Sequence, residues 1–400
     1  MRRVAALAAL ALLAGCSSQA GREEPHLAPL YSKLKFAEIG VDEQRDGVGE
    51  IAEQSRQLAL RELGALAADQ SIVFSPWAMA RRERIVADAN GAGDDPAVAA
   101  MIGQLGKWEG DPTGVPNGGV ARPPILRSQT ILIADRSLDV AAEFLDLLAK
   151  DYDMGIYLAR PGDAALPDAV SAWAMGTVGT RFNRALHGLG ATRGVYAADV
   201  TALLAGWQFP FRPELTVEAP FTTADGSRKS VPTMRGAVLA RTAAGPSWRA
   251  AQLPLSDGVE MRVIVPADPR APLPDFFMPP ARAALAAAQP APLGIALPRW
   301  SAHSELAEAA AQPAPLGLPR IAPGAGLGGW ASLAAAAFGE QGVSMAAALP
   351  TASTPGAQTA PDAAGPPAIA FAADRPFCFE IFDPGTGLVL LAGRVAAPDR

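Results

Sequence analysis

Few side chains in this sequence have a type and spacing that could carry out a reaction. Three scattered histidines, His26, His187 and His303, have no cysteine partner, so the ligand spacings of zinc sites are absent. A Ser-His-Asp arrangement is recognised by geometry rather than order, and spacing alone does not decide it. No Gly-x-Ser-x-Gly elbow occurs, however, and no glycine-rich loop ending in Lys-Ser or Lys-Thr offers a phosphate cradle. The histidines read as surface or internally satisfied side chains. The expectation is a protein that is not an enzyme and uses no metal and no cofactor.

The chemistry is better sought in a segment on which another protein could act. Glu340-Gln341-Gly342-Val343-Ser344-Met345-Ala346-Ala347-Ala348 passes from an acidic start into small residues. Leu349 to Pro367 then holds five prolines and one charge, Asp362. That stretch cannot bury a core, because its side chains are small and its prolines lack the N–H a sheet needs. Phe377 to Asp383 and Leu388 to Val395 read as two apolar strands joined by the Pro384-Gly385-Thr386-Gly387 turn. A long loop between ordered elements is either functional or unstructured.

Glu340-x-Gly342 with its alanine run, Asp374-Arg375-Pro376-Phe377, Thr386-Gly387 and Gly393-Arg394-Val395-x-x-Pro398 resemble the C-terminal end of the serpins, suicide inhibitors of proteases. The middle of the chain carries further matches in the same order. Trp207-Gln208-Phe209-Pro210-Phe211 is followed by Pro220-Phe221, Asp225-Gly226 and Val231-Pro232-Thr233-Met234. Leu253-Pro254, Met261 to Pro266 and Leu297-Pro298-Arg299-Trp300 continue the series. Upstream lie Phe74-Ser75-Pro76, an apolar strand from Ile125 to Ala134, and Val140, Phe144, Leu147 and Leu148 on one helical face. Trp173, expected in the core, falls in a helical stretch over 169–186. The resemblance runs from about residue 48 to the end. It implies an α+β serpin domain over 30–400, with three mainly antiparallel β-sheets, surrounding helices and an exposed reactive-centre loop at about 340–370.

By that resemblance a serine protease cleaves the loop and forms an acyl-enzyme, and the freed loop then enters the main sheet as a new strand. The hinge would be Glu340, Gly342, Val343, Ser344, Met345, Ala346, Ala347 and Ala348. Counting from Glu340 puts the reactive bond at Gly356-Ala357. No Lys or Arg lies between Glu340 and Asp374, so the implied partners are elastase-like or subtilisin-like serine proteases. Several positions depart from the family. Met345 replaces a small hinge residue, and Pro350 and Pro355 interrupt the strand to be inserted. The shutter positions that control strand separation are Ser75, Ala78, Asp199 and Ser332, where the family usually has serine, serine, asparagine and histidine. Two functions stay open: a protease inhibitor, and a non-inhibitory protein of the same fold with a binding or structural role.

The first residues read as an export signal. Arg2-Arg3 precede an apolar run from Val4 to Leu13, too short to span a membrane as a helix. Leu13-Ala14-Gly15-Cys16 resembles a bacterial lipobox, which implies a signal over 1–16, a lipid on Cys16 and a flexible tether over 17–29. The protein would then be exported and lipid-anchored to the bacterial cell envelope. Cys378 would be the only other thiol, so no internal disulfide is expected. The formal charge of −6 becomes −8 without Arg2 and Arg3, and no basic stripe suggests a nucleic-acid partner. An amphipathic helix is expected over 48–65. The phrase at 286–294 that returns at 309–317 is read as compositional, since a repeat fold needs at least three units.

Overall fold

The computed structural model describes residues 26–37, 41–65, 67, 69–93, 99, 120–160, 162–179, 194–270, 278–309, 316–344 and 369–398. The chain enters as strand β1 (Ala28–Leu30). This corrects the expected tether over 17–29: residues 28 and 29 belong to the sheet, because an open sheet edge gives even a three-residue strand partners for its backbone.

Helix α1 (Val41–Gly64) contains the expected amphipathic stretch and buries Ile51, Ala52, Leu58 and Leu63. Strand β2 (Ile72–Phe74) is wholly buried and leads into α2 (Pro76–Asn90). Ser75 caps α2 by accepting the Ala78 amide, and Gly91 closes it in the left-handed region at φ 88°. Strand β3 (Ile125–Asp135) is followed by α3 (Ala142–Tyr152); of the expected apolar face Phe144 and Leu148 are buried, Leu147 is partly buried and Val140 lies ahead of the helix, while Tyr152 completes the buried side. Then come β4 (Ile156–Ala159), α4 (Leu166–Val178) and β5 (Val195–Gly206), the last buried along its full length. Trp173 on α4 is half-buried at the edge of a cluster, not in the core as expected.

Strands β6 (Val217–Thr222) and β7 (Arg228–Gly245) form a hairpin that turns at Asp225-Gly226, with Gly226 at φ 84°. Strands β8 (Trp248–Pro254) and β9 (Glu260–Pro266), helix α5 (Met278–Ala287) and strands β10 (Ala291–Pro298), β11 (Trp300–Ala309) and β12 (Leu327–Gly339) follow. The first copy of the repeated phrase spans the end of α5 and the start of β10; the second begins in β11, and residues 310–315 lie outside the described set. The chain closes with β13 (Gly342–Ser344), β14 (Ile369–Ala372), β15 (Phe377–Phe382) and β16 (Val389–Val395). Asp383 ties the turn between the last two by accepting the Gly385 amide at 2.9 Å and the Thr386 hydroxyl at 2.8 Å.

Two hydrogen-bonded arrays result. The main sheet runs β1-β4-β3-β5-β13-β12-β11. The other runs β14-β10-β7-β8-β9-β15-β16-β2, with β6 on β7. The eighteen-residue β7 pairs with β6 and β10 over its first part and with β8 at its end, so two of the expected sheets are continuous through one strand. Side chains of β5 alternate between two cores, as period-two geometry requires. Val195, Ala197, Leu203 and Ala205 face the space between the arrays. Tyr196, Ala198, Val200, Ala202 and Leu204 pack under α4 with Leu166, Val170 and Ala174. Among the described residues, no helix is long and apolar enough to cross a membrane.

Candidate functional site

The site is the seam between β5 and β12, whose two ends are held differently. Along its lower part the two strands pair directly and in parallel, from Leu327↔Val195 to Ala334↔Thr201. At its upper end β13 stands between them. Val343 pairs with Phe338 on β12 and with Ala205 on β5, and Gly342 sits between Gly339 and Gly206. Val343 is fully buried and Ser344 nearly so. A glycine is required at 342: its φ is 144°, and a Cβ would lie 2.1 Å from the Ala205 carbonyl oxygen. Three of the predicted hinge residues thus already occupy the position of a sheet strand.

The residues before β13 are anchored from several sides. The Trp207 indole donates to the Gly339 carbonyl at 2.7 Å, and its backbone amide donates to the Gln341 carbonyl at 2.9 Å. The Phe211 amide donates to the Glu340 carbonyl at 2.9 Å. Glu340 is 2 % exposed, and its carboxylate accepts Arg299 Nε at 2.8 Å, a second Arg299 nitrogen, and Thr216 Oγ1 at 2.5 Å. A carboxylate this deep needs such partners, because an unpaired buried charge is strongly unfavourable. Arg299 was visible in sequence only as part of Leu-Pro-Arg-Trp; its pairing with a residue 41 positions away was not. Phe338, the partner of Val343, stacks on Trp300 with centroids 4.1 Å apart, and Trp300 meets Phe377 edge-on at 5.2 Å.

The lower seam is closed by a buried polar clamp. Asp199 on β5 and Ser332 on β12 are register partners, and Ser332 Oγ donates to Asp199 Oδ1 at 2.5 Å. Arg82 reaches from α2 to Asp199 Oδ2 at 2.5 Å, with both side chains almost completely buried. The same guanidinium lies 4.1 Å over the Trp330 ring of β12. One arginine therefore holds both strands. Burial pushes the Asp199 carboxyl above the usual carboxylate range, against the opposing pull of Arg82 and Ser332. Arg82 was not singled out from sequence, since its partners lie more than a hundred residues away.

Of the four predicted shutter positions, the structure joins Asp199 to Ser332 by a hydrogen bond, and Ser75 to Ala78 as the cap of α2, the helix that carries Arg82. Ser75 Oγ donates to the Leu390 carbonyl at 2.7 Å and accepts the Ala78 amide at 3.1 Å. Met345, Ala346, Ala347, Ala348, Gly356 and Ala357 lie outside the described residues, as do Pro350, Pro355, His187 and Cys16. His26 Nδ1 lies 2.7 Å from Asp163, and His303 Nε2 lies 3.0 Å from Glu305. Cys378 is buried, which pushes its thiol up to about 12. Among the described residues no cluster of His, Cys, Asp and Glu has the make-up of a metal site.

A family model described as serpin (serine protease inhibitor) matches residues 116–300. No curated protein matches the sequence. Among solved structures, human thyroxine-binding globulin complexed with thyroxine is similar with a TM-score of 0.71 and 14 % identity, over 90 % of this chain and 100 % of that one. The thermophilic serpin tengpin in its native state gives 0.67 and 17 %, over 93 % and 100 %. An Arabidopsis serpin in its native stressed conformation gives 0.66 and 18 %, over 90 % and 100 %. The serpin family model thus covers a little under half of the chain, and the fold of serpins runs along nine-tenths of its length.

Proposed function

We propose that the protein inhibits serine proteases of elastase-like or subtilisin-like preference by inserting its cleaved loop into the main sheet, while a lipid on Cys16 holds it at a bacterial cell envelope. The observation that carries this reading is β13 itself. The sheet is open at its top, the loop root fills the opening in register with both neighbours, and the rest of the seam is closed by the neighbours' own pairing and the Arg82–Asp199–Ser332 clamp.

The register of that opening continues downward without a slip. A strand extending from Val343 would place Met345 between Ala336 and Leu203, and Ala347 between Ala334 and Thr201. Leu349 would fall between Ser332 and Asp199, and Pro350 between Ala331 and Ala198. Odd-numbered residues would follow Val343 toward the core between the arrays, which favours small side chains. Insertion must therefore part the Ser332–Asp199 bond and set an apolar leucine on the clamp. Pro350, one residue further, would remove a ladder hydrogen bond at a cost of about 1–3 kcal/mol if its partner carbonyl stays unsatisfied. The reading is thus of an inhibitor in which many encounters end in a cleaved loop rather than a trapped protease.

A second reading, a non-inhibitory binding protein, draws on the same clamp and on the similarity to a thyroxine-binding globulin. Incubation with an elastase-like and a subtilisin-like protease separates the two. The inhibitor reading expects a covalent complex that survives denaturing electrophoresis, alongside cleaved protein. Complete cleavage without any complex, in wild type and in Pro350→Ala alike, would leave only the second.

A further inference from the structure

Strand β1 is a strap laid along the edge of the main sheet, and several unrelated contacts hold it. Ala28, Pro29 and Leu30 pair with Leu158, Tyr157 and Ile156 of β4. The Tyr31 ring meets Tyr157 edge-on at 6.2 Å, with the two hydroxyls 2.9 Å apart. Ser32 Oγ donates to Asp146 of α3 at 2.5 Å, and the Ala37 amide donates to the Lys150 carbonyl at 2.8 Å. At its start, His26 meets Asp163 just ahead of α4. The strap lies so close that a Cβ on Gly155 would stand 2.4 Å from the Leu30 carbonyl oxygen.

Its direction follows from the register. Ala28 lies in one row with Leu158, Ala134 and Val195, and Val195 is the first residue of β5. Leu30 is in the row of Ile156, Leu132 and Ala197, two steps nearer the hinge. The chain ahead of Ala28 therefore leaves the sheet at the pole opposite the loop root. Gly206, beside the hinge, is the far end of β5, roughly 36 Å away at about 3.3 Å per residue. The nine residues between Cys16 and His26 span at most about 35 Å even when fully extended, and on the order of 15–18 Å as a flexible coil.

We infer that the β1 strap fixes how the protein stands on a lipid bilayer: the lower pole, where β3 and β4 end, faces the lipid, and the loop root points away from it. This rests on the lipid anchor proposed at Cys16. Without the strap the free chain would reach back to residue 37 or beyond, about 70 Å when extended, and either pole could approach the surface. With it, the loop is offered to proteases arriving from solution.

The test separates the orientation from the anchor. The full chain carrying Cys378→Ser is coupled through Cys16 to a maleimide-headed lipid in phosphatidylcholine vesicles that also hold an acceptor lipid. A donor dye is attached through p-azidophenylalanine placed at Ser137, exposed at the lower pole, or at Asp257, exposed beside the Trp207 end. Energy transfer to the bilayer should be several-fold stronger from 137 than from 257. The combined His26→Ala, Tyr31→Ala and Ser32→Ala variant should bring the two close to equal while keeping its thermal midpoint within a few degrees. Equal or reversed transfer in the parent, or a strap variant that keeps the full difference, would overturn the orientation. The anchor is read separately in cells: a Cys16→Ala protein that stays with the membrane fraction would sink the lipid at Cys16 and leave the vesicle result standing.

Discussion

Ser332 and Asp199 face each other across the seam that a cleaved loop would have to enter, and the Ser332 hydroxyl donates to Asp199 Oδ1 at 2.5 Å. Arg82 makes the pair a three-membered clamp by binding Asp199 while lying over Trp330. Removing the hydroxyl and removing the arginine should therefore differ in size. Ser332→Ala loses one hydrogen bond to a charged group, about 1.5–3 kcal/mol. Arg82→Met strands Asp199 in the interior and should cost about 3–5 kcal/mol. Denaturant unfolding gives the ranking. An Arg82→Met protein as stable as wild type would contradict the clamp.

The root of the loop should depend on Arg299. Replacing it with methionine keeps the stem but leaves the Glu340 carboxylate, 2 % exposed, with Thr216 as its remaining side-chain partner. A loss of about 1–3 kcal/mol is expected, with faster proteolysis between residues 345 and 368. Unchanged proteolysis would mean that Trp207 and Phe211 hold the root without help.

Acid should act through Glu380. Burial pushes its carboxyl up, but Arg282 and Arg262 outweigh that and hold it below the usual range. Arg282 Nε donates to it at 3.0 Å, and Arg262 lies 3.5 Å away. A carboxylate lowered in the native state contributes stability that is present above its unfolded value, about 4.3, and is lost as pH falls through the native value. Glu380→Gln should lower stability at neutral pH by about 3–5 kcal/mol. The gap from wild type should shrink as the pH drops below about 4. Urea midpoints at several pH values check this; a gap that widens in acid would contradict it.

These features differ in how far the sequence discloses them. The turn at Pro384-Gly385 is legible because local residue types dictate local geometry there, whereas Trp207-Gln208-Phe209-Pro210-Phe211 is legible by resemblance. The stretch from Glu340 to Ser344 stands out by resemblance, and the structure sets Gly342, Val343 and Ser344 as a strand at the top of the seam between β5 and β12. Arg82 and Arg299 were not legible, because a buried ion pair is defined by two positions far apart in sequence. Strand β1 was missed because three residues including Pro29 carry no periodic signal; an open sheet edge creates it. Trp173 was expected in the core because large aromatics usually bury, yet its place on the outer helix α4 leaves it half covered.

Loop cleavage should follow side-chain size. No Lys or Arg lies between Glu340 and Asp374, so trypsin has no basic residue to recognise there. Elastase-like and subtilisin-like enzymes should cut between Thr351 and Ala360, and mass spectrometry of the products locates the bond. Rapid inhibition of trypsin would contradict the assignment of the loop.

The most direct test of insertion is the thermal midpoint before and after limited cleavage of the loop, in wild type and in Pro350→Ala. A completed strand adds backbone pairing and buried alanines to the sheet, so a loop that enters must raise the midpoint. With Pro350 set between Ala331 and Ala198 and Leu349 on the clamp, a small rise is predicted for wild type and a clearly larger one for Pro350→Ala. No rise in either protein would contradict insertion, and an equally large rise in both would contradict the role given to the proline.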